Sequence, residues 1–386
     1  MTAGNWNESA NAGVFYRNLN NNRSNDNNNN GFRAADYFSN PDISKENTGD
    51  IGITPPAQAK SAEGATELYL LPLTLESVAN EDVLYQAFLN ARKGKRNKKA
   101  IYEFENNLSK NLKELRERLL TNNYIPDEPR RFMITEPKPR EIAAPSFRDS
   151  VVQHAIYLVV YPTFDRGFIH DSYGCRKYKG AHKASDALQN MMRKCSGDEY
   201  FLQMDIRKYY YNIKHSILRV RLERKIDDEK LVNLMMRFAG KDGKGLFIGN
   251  LLAQLYGLIY LDRLDHWLKR VKKCKNYVRY VDDFIVIGLT HVEMKKLLSE
   301  IEAFLKNELE LVLSKWIANP IKRGINFVGF RTWRITRYVR KRSLHNFSKA
   351  LKRNKIASLV SIVGNAKRTA TYAYFMLQLK TKGVQL

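Results

Sequence analysis

Hydrophobic residues recur at helical spacing in the first part of the chain that has the composition of a folded protein. Order is predicted to begin near Leu68. One helix is predicted over 77–91, and a second amphipathic helix is predicted over 100–121. The apolar residues of the second helix lie three or four positions apart, as one face of a helix requires: Phe104, Leu108, Leu112, Leu115 and Leu119.

Apolar runs of strand length alternate with longer helical patterns in the rest of the chain. Helices are predicted at four places: 150–160, 217–239, 249–273 and 294–309. Strands are predicted at six places: 140–143, 200–206, 276–280, 284–287, 311–313 and 324–331. The mixture of short strands and long helices predicts an α+β fold.

Residues 1–66 have a different composition. The first 40 residues contain 13 asparagines, including 20–22 and 27–30. Asparagine is poor in helices and in strands, and the stretch to Ala65 adds Gly, Pro, Ser and Ala without hydrophobic periodicity. The sequence therefore predicts that residues 1–66 are disordered.

The chain is strongly basic. Its 65 Lys and Arg residues exceed its 40 Asp and Glu residues, which gives a formal net charge of +25 over 386 residues. Residues 92–99 carry six positive charges, and residues 311–386 contain 17 Lys or Arg and no acidic residue. A one-sign block with aromatic residues among it favours a phosphate backbone as partner.

Other classes of protein fit the sequence less well. We find no run of about 18 apolar residues that could span a bilayer and no signal peptide at the polar start, so a cytoplasmic protein without a membrane partner is predicted. Cys175, Cys195 and Cys274 are far apart and form no CxxC pair, which favours reduced thiols over a zinc site. A phosphate-binding P-loop motif is not found.

Two groups of aspartates are the most informative polar residues. Asp282 and Asp283 are adjacent between two apolar strands, and Asp205 ends the apolar run 201–206. Adjacent like charges repel, so such a pair is best explained by a cation that neutralises it. Carboxylate oxygens are the ligands that Mg²⁺ prefers. A strand-end aspartate together with a hairpin Asp-Asp is the minimal set for two-metal phosphoryl transfer.

In these acidic motifs the chain resembles the reverse transcriptase family. Tyr280-Val281-Asp282-Asp283 resembles its YxDD box, and the strand that ends in Asp205 resembles its first acidic motif. The resemblance implies an RNA-directed DNA polymerase that uses two Mg²⁺ ions and dNTPs. It implies that the ions are surrounded by four residues: Asp205, Ile206, Asp282 and Asp283.

Further motifs imply a nucleotide site. Residues 137–142 and 149–155 resemble the fingers motifs, so Arg140 would contact the incoming triphosphate with help from Lys138. Tyr210 falls on the position of an aromatic gate that packs under the sugar and disfavours a 2′-hydroxyl. Residues 313–315 and 324–330 resemble the last two palm motifs. By these matches Gln254 and Lys315 also contact the nucleotide, and Gly329 lies in the primer grip.

The resemblance implies a right-hand polymerase with fingers, a palm that contains an antiparallel sheet, and a helical thumb. The matching motifs occur in the family's order over about 92–335. We predict fingers over 67–185 and 213–250, palm over 186–212 and 251–336, and a basic thumb of three helices over 337–386.

One motif resembles a subclass, the reverse transcriptases of diversity-generating retroelements. Many relatives open the box beside the template and primer with Gln-Gly, but here Ile248 and Gly249 open it and Ala253-Gln254 close it. The usual ending in this subclass is Ser-Gln, so Ala253 is a departure. The resemblance implies cDNA synthesis from a template-repeat RNA with errors at adenines, and a small basic oligomeric accessory protein as partner.

The N-terminal composition is consistent with this subclass. Asparagine codons are rich in adenine, and residues 12–33 resemble the variable tract of target proteins in such elements. As a hypothesis, residues 1 to about 40 are a translated piece of the template repeat.

Several alternatives remain open from sequence alone. They are a retron or group II intron type reverse transcriptase, a defence-type polymerase that extends DNA without a template, and an RNA chaperone with an inactive palm. Asp262 and Asp265 on the predicted helix 249–273 are interpreted as solvated or salt-bridged acids, and 227–229 as a helix cap.

Overall fold

The computed structural model describes residues 71–135 and 139–386. The predicted disordered segment 1–66 and the predicted nucleotide contact Lys138 lie outside the described residues.

Four helices begin the described part of the chain: α1 (Leu75–Val78), α2 (Glu81–Arg92), α3 (Lys99–Asn106) and α4 (Leu108–Leu120). The side chain of Asn80 accepts hydrogen bonds from the backbone N–H groups of Asp82 and Val83 and so caps α2, which separates it from α1. The predicted helix 100–121 is found as α3 and α4, because the chain leaves helical geometry at Asn107.

The long helix α5 (Phe147–Gly167) packs against α2 and against a second long helix, α10 (Leu251–His266). Both long helices are apolar around most of their circumference, as expected for helices in the middle of a core. Ser146 caps α5 by accepting the backbone N–H of Asp149. The predicted helix 249–273 is shorter than expected, because after His266 the chain forms the π-helical turn Trp267–Val271.

A two-stranded hairpin, β1 (Arg130–Ile134) and β2 (Arg140–Ala144), precedes α5. Four helices occupy the region between α5 and α10: α6 (Ala181–Lys194), α7 (Tyr209–Asn212), α8 (His215–Glu223) and α9 (Glu229–Arg237). Asp228 caps α9, as the sequence predicted for 227–229.

The central sheet has four antiparallel strands in the order β4-β5-β3-β6. These strands are β3 (Tyr200–Ile206), β4 (Tyr277–Tyr280), β5 (Asp283–Leu289) and β6 (Leu313–Pro320). Helix α6 and helix α11 (His291–Leu309) pack on this sheet. The predicted strand 311–313 was too short, since β6 begins at Leu313 and continues to Pro320 along the sheet edge.

A smaller antiparallel sheet follows, with β7 (Ile325–Phe327), β8 (Phe330–Thr332) and β9 (Arg337–Val339) in sequence order. The predicted strand 324–331 is two strands, because Val328 and Gly329 form a two-residue turn with φ of 42° and 94°. Three helices were predicted for 337–386, and three are found: α12 (Lys341–Lys352), α13 (Ile356–Ala366) and α14 (Thr371–Thr381). Within the described residues, no helix has both the length and the apolar character needed to cross a bilayer.

Candidate active site

The predicted acidic residues meet at one end of the central sheet. Asp205 on β3 is the direct register partner of Asp283 on β5. Directly opposed residues of antiparallel strands point to the same face and lie a few ångströms apart. Asp282 lies in the two-residue turn that joins β4 to β5, directly before Asp283. The structure thus brings together carboxylates that are almost 80 positions apart in sequence.

The turn itself has an unusual backbone. Val281 has φ of 60°, in the left-handed region that β-branched residues avoid. Tyr280 and Asp283 pair on either side of the turn, so only Val281 and Asp282 lie outside the ladder. Since strained residues persist only where the surroundings hold them, the conformation of this turn is fixed by its neighbours.

The carboxylates repel one another. Burial, together with the charges of Asp282 and Asp205, raises the pKa of Asp283 to about 7, although a hydrogen bond from Gln203 acts in the opposite direction. A cation between these groups would relieve the repulsion. The electrostatics therefore fit a site that is completed by a positive ion.

Two side chains that the sequence analysis missed hold the carboxylates in place. The amide of Gln203 donates to Asp283 Oδ1 at 2.9 Å and to the main-chain oxygen of Asn326 at 3.0 Å. The hydroxyl of Ser314 donates to Asp205 Oδ2 at 2.6 Å. Both residues lie on strands next to the aspartates, and strand register is the signal that links them to the site.

Two cations lie near the same end of the sheet. Lys315 on β6 is the other register partner of Asp205, so its side chain lies on the same face. Arg340 immediately precedes α12 with its side chain exposed, and partial desolvation lowers its pKa while the charge of Asp283 raises it. Lys315 was predicted, and Arg340 was not.

Tyr210 and Gln254 are both buried. Tyr210 is 6% exposed, and burial raises its pKa well above the ordinary value, with the Asp282 charge among the further causes. A Cβ on Gly257 would lie 3.2 Å from the Tyr210 ring. Gln254 is 2% exposed, and within the described residues neither atom of its amide has a hydrogen-bond partner.

The box that opens with Ile248 packs against the β1–β2 hairpin. The N–H of Ala143 donates to the carbonyl oxygen of Ile248 at 2.7 Å, and the Ile248 side chain is 5% exposed. Gly249 has φ of 118°, and a Cβ there would lie 2.8 Å from Ile142 Cγ2. Gly249 is therefore required both by its backbone conformation and by the close approach of β2.

The remaining predicted residues lie on two hairpins. Arg140 is the first residue of β2; burial raises the pKa of the nearby Tyr211, and the charge of Arg140 acts in the opposite direction. Gly329 lies in the turn between β7 and β8, and its carbonyl oxygen accepts the N–H of Arg340 at 3.2 Å. The Gln203 amide connects the β7–β8 hairpin to the acidic turn through Asn326.

The carboxylates at this end of the sheet provide part of the ligands that a divalent ion needs. In residues 71–135 and 139–386, no three His, Cys, Asp or Glu side chains are arranged to hold a metal by themselves. Polymerase magnesium sites are not all-protein cages, since one or two carboxylates combine with substrate phosphates and water. Asp205 and Asp282 with a main-chain oxygen of Ile206 have that incomplete character, so the residues fit an ion that arrives with nucleotide.

An antiparallel sheet with opposed aspartates at one end and helices packed on it is the arrangement expected of the palm of a right-hand nucleic-acid polymerase. Residues 126–332, more than half of the chain, match the family described as reverse transcriptase (RNA-dependent DNA polymerase). The chain belongs to this family, and the predicted enzyme class is confirmed. The predicted fold class, a right-hand polymerase with an antiparallel palm sheet, is confirmed as well by the sheet order and the family match.

Two curated relatives match over different extents. Protein YkfC of Escherichia coli (strain K12) is 24% identical over 305 residues, which are 66% of this chain and 80% of the relative. The group II intron-encoded protein LtrA of Lactococcus lactis subsp. cremoris is 28% identical over 207 residues, 50% of this chain. The match spans only 34% of LtrA.

Solved structures are similar at low identity. Telomerase from Candida albicans, in complex with a fragment of telomeric RNA, matches with a TM-score of 0.45 and 11% identity over 68% of this chain and 57% of that chain. A chain of a partial Cas6-RT-Cas1–Cas2 complex matches with a TM-score of 0.37 and 19% identity over 61% of this chain and 42% of that chain.

Proposed function

We propose that this chain synthesises DNA on an RNA template by nucleotidyl transfer at the end of the central sheet. The observation that carries the proposal is the register pairing of Asp205 with Asp283, with Asp282 in the adjoining turn. Asp205, Asp282 and the main-chain oxygen of Ile206 would hold two Mg²⁺ ions. The ions would supply positive charge to the attacking and leaving oxygens of an in-line displacement.

The side chains around the carboxylates position the reactants. Asp283 is anchored by Gln203 and contributes charge more than direct ligation. Lys138 and Arg140 neutralise the triphosphate, and Lys315 adds a positive charge beside Asp205. Such fixed charges stabilise the charge that develops during phosphoryl transfer.

The nucleotide and the primer have separate contacts in this proposal. The buried Tyr210 ring forms a wall under the sugar that leaves no room for a 2′-hydroxyl, so dNTPs are the substrates. The buried amide of Gln254 is assigned a further contact with the nucleotide. The hairpin turn at Gly329 contacts the primer end, and Gln203 links this hairpin to the acidic turn through Asn326.

Template RNA and the RNA–cDNA duplex are the proposed partners. From residue 311 onwards the chain carries 17 positive and no negative side chains, and three of its helices lie in this block. Lys and Arg that neutralise phosphates bind nucleic acid regardless of sequence. We assign 337–386 as the thumb that follows the duplex, with fingers over 67–185 and 213–250 and palm over 186–212 and 251–336.

We further propose that the enzyme belongs to a diversity-generating retroelement and copies a template-repeat RNA with errors at adenines. The motif from Ile248 to Gln254 supports this assignment. Ile248 has no amide with which to hydrogen-bond the nascent pair, so geometry at the pair is tested less strictly. A small basic oligomeric accessory protein is the implied partner. The group II intron type is the second candidate, because the match to LtrA covers 50% of this chain.

Template dependence tests the polymerase proposal. Purified full-length protein is given Mg²⁺, dNTPs, labelled primer and either an RNA template or none. We expect labelled product only with template, and its sequence should be complementary to that RNA. Product of equal length without template would contradict the proposal and support the template-independent polymerase instead.

Error spectra test the subclass. Products of the wild type should carry errors concentrated opposite template adenines, and Ile248→Gln should lower the error rate at adenines by about tenfold or more. The control is Ile248→Val, which keeps an aliphatic side chain and should keep the spectrum. Equal spectra for Ile248→Gln and the wild type would contradict the assigned role. Faithful copying at adenines by the wild type would favour the group II intron type.

A further inference from the structure

A buried arginine lies two residues before the turn that carries Asp282. Arg279 on β4 is 0% exposed, and so is Asp265 on α10. Arg279 Nε donates to Asp265 Oδ1 at 2.7 Å, and its Nη2 donates to Oδ2 at 2.5 Å. Two parallel bonds of this kind fix the plane of the guanidinium. Asp265 was interpreted from sequence as a solvated or salt-bridged acid; it is salt-bridged, but it is not solvated.

The third guanidinium nitrogen of Arg279 makes a hydrogen bond to the turn. Arg279 Nη1 donates to the carbonyl oxygen of Val281 at 2.8 Å. Val281 is the residue in the left-handed region, a conformation that costs about 1–2 kcal/mol for an ordinary residue. Arg279 therefore connects helix α10 to the main chain directly before Asp282 and holds that main chain in a strained conformation.

The segment 171–174 supports the same turn from another side. The N–H of Arg279 donates to the carbonyl oxygen of Asp171, and the N–H of Tyr173 donates to the carbonyl oxygen of Arg279, both at 2.9 Å. A Cβ on Gly174 would lie 2.7 Å from the backbone nitrogen of Val281. The turn is thus packed closely against the backbone of segment 171–174, which restricts its movement.

We propose that Arg279 is a positioning residue that sets the direction of the Asp282 carboxylate by holding the Val281 carbonyl. This inference rests on the proposed function, because it assigns Asp282 to the reaction. A buried ion pair is a weak source of net stability, so its position is better explained by the geometry that it imposes. A misplacement of about 1 Å in an active site can lower the rate about 100-fold.

The test removes the planar guanidinium of Arg279 and keeps its positive charge. Arg279→Lys leaves a positive partner for Asp265, but a single ammonium on a flexible stem cannot hold both that carboxylate and the Val281 carbonyl in fixed directions. We expect kcat for primer extension to fall by about 30-fold or more, with the KM for dNTP changed by less than about threefold. Loss of binding would instead raise KM.

A matched control comes from the same helix. Tyr256→Phe removes a buried hydrogen bond of 2.6 Å from the hydroxyl to the carbonyl oxygen of Met235. It should lower the melting temperature but keep kcat within about twofold of the wild type. If Arg279→Lys does not fold, Gly174→Ala pushes on Val281 without touching the ion pair, and it should give the same loss of kcat at unchanged KM.

Amide hydrogen exchange over 280–283 supplies a readout that does not depend on activity. The exchange rate should rise at least about tenfold in Arg279→Lys or Gly174→Ala and stay unchanged in Tyr256→Phe. A wild type without polymerase activity would contradict the proposed function, yet the exchange rates would still decide whether Arg279 holds the turn. Folded Arg279→Lys or Gly174→Ala protein with wild-type kcat and wild-type exchange would overturn the inference.

Discussion

Gln203 joins Asp283 to the main chain of a second sheet. One amide group donates both to Asp283 Oδ1 and to the carbonyl oxygen of Asn326, so the acidic turn and the β7–β8 hairpin cannot shift independently. Under the proposed function, these two elements place the metal ligands and the primer end in one fixed relation. The bridge gives that relation a physical basis.

Loss of this bridge should impair catalysis more than stability. Gln203→Met keeps the size of the side chain but removes both hydrogen bonds, and we expect kcat to fall about tenfold while the melting temperature changes by a few degrees. Steady-state primer extension and thermal unfolding are the measurements. Asn111→Ala is the control, because it removes a side-chain bond to the carbonyl oxygen of Phe104 far from the turn. Equal activity in the two variants would refute the assigned role.

The carboxylate cluster should oppose folding when no cation is bound. Asp205→Asn keeps an oxygen that can accept the Ser314 hydroxyl but removes one of the charges that repel Asp283. We therefore expect the metal-free variant to be more stable than the wild type, by on the order of 1 kcal/mol, and inactive. Denaturation in the presence of a chelator measures the difference. A variant less stable than the wild type by a similar amount would show that the repulsion is not significant.

The glycine that opposes the β1–β2 hairpin should be intolerant of any side chain. Gly249→Ala combines a left-handed backbone with a Cβ that would lie 2.8 Å from Ile142 Cγ2. We expect a loss of about 2–4 kcal/mol in the free energy of unfolding, measured with denaturant. The matched control is Gly243→Ala, where φ is 66° but no atom lies within 4 Å, and the loss should be about 1 kcal/mol. Equal losses would mean that the contact with β2 is not close.

The asparagine-rich N-terminal segment should be dispensable for chemistry. We predict that deletion of residues 1–66 leaves kcat and the KM for dNTP within about twofold of the full chain, because no predicted site residue lies in that segment. Primer extension with both proteins at equal concentration checks this. A large fall in kcat would show that the segment contributes to the active site.

Local pattern was sufficient to predict the central elements. The strand 200–206 and the placement of Asp282 at a hairpin turn follow from apolar runs that end in charge, and both are found. Edge strand β6 was predicted too short, because Trp316 and Ile317 are both exposed and the run shows no alternation. The break at Asn107 was missed, because the apolar spacing continues across it.

The supporting contacts could not be predicted in the same way. Gln203 lies 80 positions from Asp283, and Ser314 lies 109 positions from Asp205, so their roles depend on strand order and register. Arg279 and Asp265 are only 14 positions apart, yet they belong to a strand and a helix whose packing the sequence pattern does not specify. Local pattern therefore predicted the acidic groups that are proposed to do the chemistry, and only the tertiary register shows the groups that contact them.

The aspartates at the end of the β3–β5 pair are proposed to support metal-dependent DNA synthesis on RNA. Single-turnover primer extension on an RNA template, with Mg²⁺ varied, compares the wild type, Asp282→Asn and the surface control Asp198→Asn. We predict Mg²⁺-dependent product for the wild type and the control, and a loss of about 1000-fold or more for Asp282→Asn. Extension by Asp282→Asn at the wild-type rate and with the wild-type Mg²⁺ dependence would contradict the role proposed for these aspartates.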